Sequence, residues 1–326
     1  MGLGQTVRGV VCDRGFLDDP AGCAWKHWAR GKFHGAANGS LMRAHVLGPM
    51  CLARSLEETF EVAAVFSEVT HPDPRCVVAC CICVGLVRGL ILGEIRDEKG
   101  LDELVGSAVK WYQTKRVERE KGMLEDDPRR EAPELDEKEL ARHLFVENLG
   151  HLELDDSQKM GYVYKTLGSG VLLLRLAMRR MNATAQPMTD RLALFESLIT
   201  DLVMEGGDAD TNACFAGAVL GAYLGYTALP PQWKNGLTQG AWIMGKAEGL
   251  CDIIGITKGD YDGKKDSDTA LDGGKGILTR DQLDNRWAEF NYKLLAEAKS
   301  RRDEEKERED KEKRKSVGKA LFGWRK

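Results

Sequence analysis

Apolar residues return at three- and four-residue spacing along most of the chain. The segments LEETFEVAAVFSEV (56–69), LLLRLAMRRM (172–181) and DRLALFESLITDLVM (190–204) show it most clearly. This spacing puts the apolar side chains on one face of a helix. Two-residue alternation, the mark of half-buried strands, is scarce. The pattern predicts an all-α protein. One run, CVVACCICVGLVRGLILG (76–93), is apolar on every side and reads as a helix buried in the core. It is short for a bilayer span and carries Arg88 in its second half, so stable membrane insertion is not expected.

Three stretches break the pattern. Residues 114–143 are mostly charged and contain Pro128 and Pro133, which reads as a solvated insertion. Residues 259–276 form an Asp/Gly loop that lacks the ligand order and closing Glu of a calcium-binding hand. Between Glu297 and Lys315 lie nine basic and eight acidic residues, a solvated helical tail. Its end, KALFGWRK, sets Leu321, Phe322 and Trp324 among cations. The organisation expected is one domain over 1–292 and a charged helical tail over 293–326.

Composition narrows the function. A net charge of −4 over 326 residues argues against a dedicated nucleic-acid binder. An aromatic content of 7% gives no platform for stacking single strands. The nine cysteines are odd in number and no secretory segment opens the sequence, which does not describe a disulfide framework. Reduced, buried thiols and a cytoplasmic, intracellular location are the expectation.

Chemistry concentrates in three places. In EGGDADTNACFAGAVLGAYLG (205–225), Asp208 and Asp210 flank one alanine just before a small-residue helix. One carboxylate suffices for a cap. Two, with Thr211, offer three hard oxygens to one small space, as Mg²⁺ or Mn²⁺ would require; a capped helix start is the alternative. In AANGSLMRAHVLG (36–48), Asn38 and Gly39 suit a tight turn, Ser40 a helix cap, and Arg43 a ligand or an acid. In VTHPDPRCVVAC (69–80), Asp73–Pro74 signals a helix start. His71 there either faces a site or satisfies a backbone carbonyl.

Taken in order, NGSLMR (38–43), THPDPRC (70–76), GYVYKTLGSG (161–170) and GGDADTNACFAGAVLGAYLGYTALPPQW (206–233) resemble the ADP-ribosylglycohydrolase family, which includes the dinitrogenase reductase-activating glycohydrolases. The resemblance covers roughly residues 1–250, and its last block is the most specific. It implies a compact all-α bundle with a binuclear Mg²⁺ or Mn²⁺ centre. It also implies hydrolysis of the glycosidic bond between ADP-ribose and a protein side chain or small molecule. Asp208, Asp210 and Thr211 match the family's C-terminal metal ligands. By the same resemblance Asn38, Gly39 and Ser40 lie along the ADP-ribose near its phosphates, and His71 and a Gly168–Ser169–Gly170 turn line the same cleft. No catalytic acid is assigned.

The family's Gly-Asp motif with a nearby Glu, and its T-D-D-T or T-D-D-S motif, are absent. The strings LDDP (17–20), EDDP (125–128) and LDDS (154–157) have no preceding Thr and do not replace them. The resemblance therefore implies an N-terminally incomplete bundle, with hydrolysis weak or lost in this chain. A catalytically dead ADP-ribose-binding or interaction protein is the alternative, and ligands borrowed from a partner chain would restore activity.

Overall fold

Asp–Pro pairs open several helices. Asp19, Asp73 and Asp127 each accept a backbone N–H of the first turn, and Pro20, Pro74 and Pro128 occupy the position where a missing N–H costs nothing. The computed structural model describes residues 4–183, 187–270 and 278–322, and it is helical, with no strand among them. The all-α architecture read from the spacing is the architecture found. The chain divides into two compact units, Met1–Gly259 and Asp260–Lys326.

In the first unit α1 (Gln5–Val11), α2 (Pro20–Arg30), α3 (Leu41–Ala44) and α4 (Leu47–Met50) lead into α5 (Leu56–Glu68) and α6 (Pro74–Ile91). A reciprocal capping box between Ser55 and Glu58 starts α5. The apolar run forms α6, with Cys76, Cys80, Cys81 and Cys83 fully buried, so it is the core helix expected. Arg88 is accommodated there by donating to the carbonyls of Cys51 (3.2 Å) and Arg54 (2.8 Å) and pairing with Glu94 at 2.6 Å.

The charged stretch 114–143 is not one solvated insertion. Its first part is the end of α7 (Glu98–Lys121) and its last part is α8 (Glu137–Leu144), which buries Leu140 and Leu144 in the core. Only the connection between them is largely exposed, and two arginines fasten it. Arg116 donates to the carbonyls of Ala132 and Pro133 at 2.9 and 2.6 Å. Arg130 donates to the carbonyls of Glu120 (2.7 Å), Met123 (2.9 Å) and Leu124 (2.9 Å), tying the connection to the end of α7.

A second cluster of buried side chains joins α9 (Val163–Ala183), α10 (Pro187–Met204) and α11 (Ala209–Leu224). Here the expected Gly168–Ser169–Gly170 turn is corrected: the three residues lie inside α9 and are buried. A Cβ at Gly168 would sit 2.5 Å from the His143 carbonyl oxygen, and one at Gly170 would sit 2.4 Å from the Phe215 ring. These glycines bring helices together; they do not turn the chain. The unit ends with α12 (Pro231–Gly236) and α13 (Gly240–Ile253).

In the second unit the described part of the Asp/Gly loop forms short turns at Gly263–Lys265 and Ser267–Thr269. One helix, α14 (Arg280–Phe322), follows, opened by reciprocal hydrogen bonds between Thr279 and Gln282. The boundary expected at 292 falls inside that helix. Trp324 lies outside the described residues.

Candidate functional site

The turn from α10 to α11 is made by Gly206 and Gly207, with φ of +75° and +65°. It delivers Asp208 to the N-cap position of α11, where its side chain makes no cap hydrogen bond. Its Oδ2 instead accepts from Asn38 Nδ2 at 2.7 Å, across 170 residues of sequence. Asp210, two residues on, is exposed, and one of its oxygens accepts from the Thr211 N–H at 2.8 Å. Thr211 is buried, with its hydroxyl 3.9 Å from the Met42 sulfur.

Asn38 is held from three sides. Its N–H donates to the Gly161 carbonyl at 3.0 Å, beside an isolated antiparallel bridge between Ala37 and Tyr162. Its amide also donates to the Thr166 hydroxyl at 2.9 Å, which in turn donates to Asn212 Oδ1 at 2.7 Å. Asn212 is fully buried, and its own amide nitrogen has no partner. A side chain at Gly161 would come within ordinary contact, 3.8 Å, of Asp208 Oδ2, so this glycine keeps the approach to the pair clear.

Gly39 continues the turn against His71. A Cβ at Gly39 would lie 3.2 Å from His71 Nε2. His71 Nδ1 meets the Thr70 hydroxyl at 2.7 Å, and that hydroxyl also accepts from Arg43 at 2.6 Å. The Thr70 proton is then available to Nδ1, and in that tautomer the ring hydrogen sits on Nε2. Nε2 is buried and has no partner. Burial, and second the Arg43 charge, hold the His71 pKa down at about 4, so the ring is neutral near pH 7.

Two local expectations change. Ser40 makes no cap hydrogen bond, because its own backbone is already helical. Its hydroxyl lies 3.2 Å from Ser67 Oγ, whose proton goes to the His71 carbonyl at 3.0 Å. Arg43 reaches the Phe66 carbonyl (3.2 Å) and Thr70 rather than an acid.

Asn38, Asp208, Gly39 and His71 thus form one contiguous set, with Asp210 and Thr211 beside Asp208. Gly168, Ser169 and Gly170 stand apart from it, in helix packing. Thr166 and Asn212 join the set without having been marked by the sequence reading. Asn212 carried the available signal: it is a polar residue four positions after Asp208, directly after Asp210 and Thr211 and before the small and apolar run of the helix. The LDDS string lies against the glycine turn, its Asp156 paired with the buried Lys165 at 3.8 Å.

The fold and site are those of an all-α protein with two aspartates at the start of a small-residue helix, one of them held by Asn38. The ADP-ribosylglycohydrolase model matches residues 1–260, and the chain belongs to that family. The chain is also similar to ADP-ribosylhydrolase ARH3 of Bos taurus, with 27% identity over 218 residues. That stretch covers 64% of this chain and 56% of the bovine protein, so the chain spans little more than half the length of this relative.

Proposed function

We propose that this chain recognises the ADP-ribosyl group at the Asn38–Asp208 pair, and that hydrolysis of its glycosidic bond requires acidic groups beyond those the chain gathers there. The observation that carries the reading is the 2.7 Å contact between Asn38 and an Asp208 carboxylate that does not cap its helix. Carboxylates accept hydrogen bonds from sugar hydroxyls, and Asp208 holds its carboxylate at the helix start without spending it on a cap. A polyhydroxylated group such as the ribose of ADP-ribose matches that acceptor.

The donors do not fit a binuclear Mg²⁺ or Mn²⁺ centre. Asp208, Asp210 and Thr211 supply three ligating groups from one helix start, and Asp208 Oδ2 is already shared with Asn38. An octahedral ion would take most of its shell from water. Among the described residues no group of three or more His, Cys, Asp or Glu is placed to hold a metal. The residues of this chain bind and orient: Asn38 fixes the Asp208 carboxylate, Thr166 and Asn212 fix Asn38, and His71 stays neutral.

An ADP-ribose release assay with added Mn²⁺ or Mg²⁺, run beside calorimetric binding of ADP-ribose, tests the reading. Binding with turnover near background is expected. Brisk turnover abolished by Asp210→Ala would refute the claim that further acids are needed.

A further inference from the structure

Two neighbouring residues in the first turn of α9 serve the two halves of the Asn38–Asp208 pair. Thr166 holds the Asn38 amide. Lys165, one position earlier, reaches instead into the turn that follows Leu152. Its side chain is only 6% exposed. The ammonium donates to the Glu153 carbonyl and lies 3.8 Å from Asp156 Oδ2.

Neither contact requires a buried cation. The Glu153 carbonyl already accepts the Asp156 N–H at 3.1 Å. The Asp156 carboxylate is half-buried, open to solvent on one side, and also accepts from the Gln158 N–H at 3.0 Å. Burying an ammonium costs desolvation, and an apolar side chain of similar length would fill the space without it. What the ammonium secures is an unfavourable backbone. Glu153 has φ of +48°, the left-handed region that is costly for a residue with a Cβ. The carbonyl that Lys165 grips belongs to that residue.

The gripped turn backs the one that carries Asp208. A Cβ at Gly207 would lie 1.9 Å from the Leu154 carbonyl oxygen and 3.2 Å from the Asp155 nitrogen. A Cβ at Gly206 would meet the Asp155 Cβ at 3.9 Å. The glycine turn is thus pressed against backbone that Lys165 holds. A shift at Glu153 carries Leu154 and Asp155 with it and moves Asp208 relative to Asn38, whose own place Thr166 fixes.

We propose that Lys165 is a positioning residue for ADP-ribose recognition, acting through the 153–156 turn on the Asp208 carboxylate. The identity of the ligand rests on the function proposed above; the hold on the turn does not.

The test uses the full chain and free ADP-ribose. Lys165→Met keeps an unbranched stem, removes the ammonium and strands no acceptor, so the variant should fold. It should bind ADP-ribose roughly three- to tenfold more weakly in calorimetric titration. Lys165→Arg, which keeps a cationic donor, should recover most of that loss. In an Asp208→Asn background Lys165→Met should add almost nothing, because it acts through that carboxylate. A second readout needs no ligand. The Asn212 N–H donates to the Asp208 carbonyl at 3.0 Å, and its hydrogen exchange should quicken several-fold in Lys165→Met. Exchange at Val219, further along the same helix, should stay as in wild type. Unchanged affinity in Lys165→Met overturns the proposal, as does a loss that repeats in full on top of Asp208→Asn. Equal quickening at Asn212 and Val219 also overturns it and assigns Lys165 to global stability alone. If the wild type ignores ADP-ribose, the proposed function falls, and exchange at Asn212 still decides whether Lys165 holds the turn.

Discussion

Gly206 and Gly207 have nearly the same backbone, with φ of +75° and +65°, but different surroundings. A Cβ at Gly206 would find its nearest neighbour, Asp155 Cβ, at an ordinary 3.9 Å. A Cβ at Gly207 would lie 1.9 Å from the Leu154 carbonyl oxygen and 2.7 Å from its carbon. Gly206→Ala should therefore cost only the left-handed penalty, about 1–2 kcal/mol. Gly207→Ala carries the same penalty plus a backbone collision. Leu154 is 1% exposed and anchored in the core, so relief must displace it or the start of α11. Overpacking of this kind adds about 1–3 kcal/mol, for a total of about 2–5 kcal/mol. Urea unfolding of the two variants measures the difference directly. Because Gly207 immediately precedes Asp208, Gly207→Ala should also weaken ADP-ribose binding more than Gly206→Ala does. Equal destabilisation by the two substitutions would refute the close-approach argument.

His71 is a base whose pKa drops from an ordinary 6.5 to about 4 in the fold, so below 6.5 the unfolded chain takes up a proton that the folded chain refuses. Its contribution to stability is present above that value and is lost as pH falls toward 4, by about 3 kcal/mol in all. Urea midpoints across this window should fall less steeply for His71→Asn; identical slopes would contradict the assignment. Arg88→Ala takes the side-chain donor from the Arg54 carbonyl, leaves the Cys51 carbonyl only the Arg54 N–H, and should cost about 1–3 kcal/mol, checked by urea unfolding, with no measurable change contradicting it. All nine cysteines are free, so thiol titration should reach the exposed Cys12 first in the native protein and recover nine after denaturation. Recovery of only a few would contradict that assignment.

Periodic segments were legible because one repeating property decides them: 56–69 and 76–93 are helical to within two residues of their ends and 190–204 throughout. The start at Asp73–Pro74 was legible too. The same signature at Asp19–Pro20 and Asp127–Pro128 was overshadowed by the paired aspartates. Gly168 and Gly170 misled because a glycine used for close helix packing and one used for a turn are the same letter. Charge likewise hid α8, whose two buried leucines sit four apart among Lys, Glu, Arg and His. The link from Asn38 through Thr166 to Asn212 joins three distant segments, and no local pattern encodes it. Ser40 looked like a cap because the residue type favours caps, but burial beside Ser67 gave its hydroxyl another partner.

The central claim is that Asn38 and Asp208 act together on one ligand. Calorimetric titration of ADP-ribose into wild type, Asn38→Ala, Asp208→Asn and the double variant tests it most directly. Residues coupled through a shared hydrogen bond are non-additive. Each single substitution should lower affinity by about tenfold or more, and the double variant should be little worse than the weaker single one. Full affinity in Asn38→Ala, or losses that simply multiply in the double variant, would contradict the account.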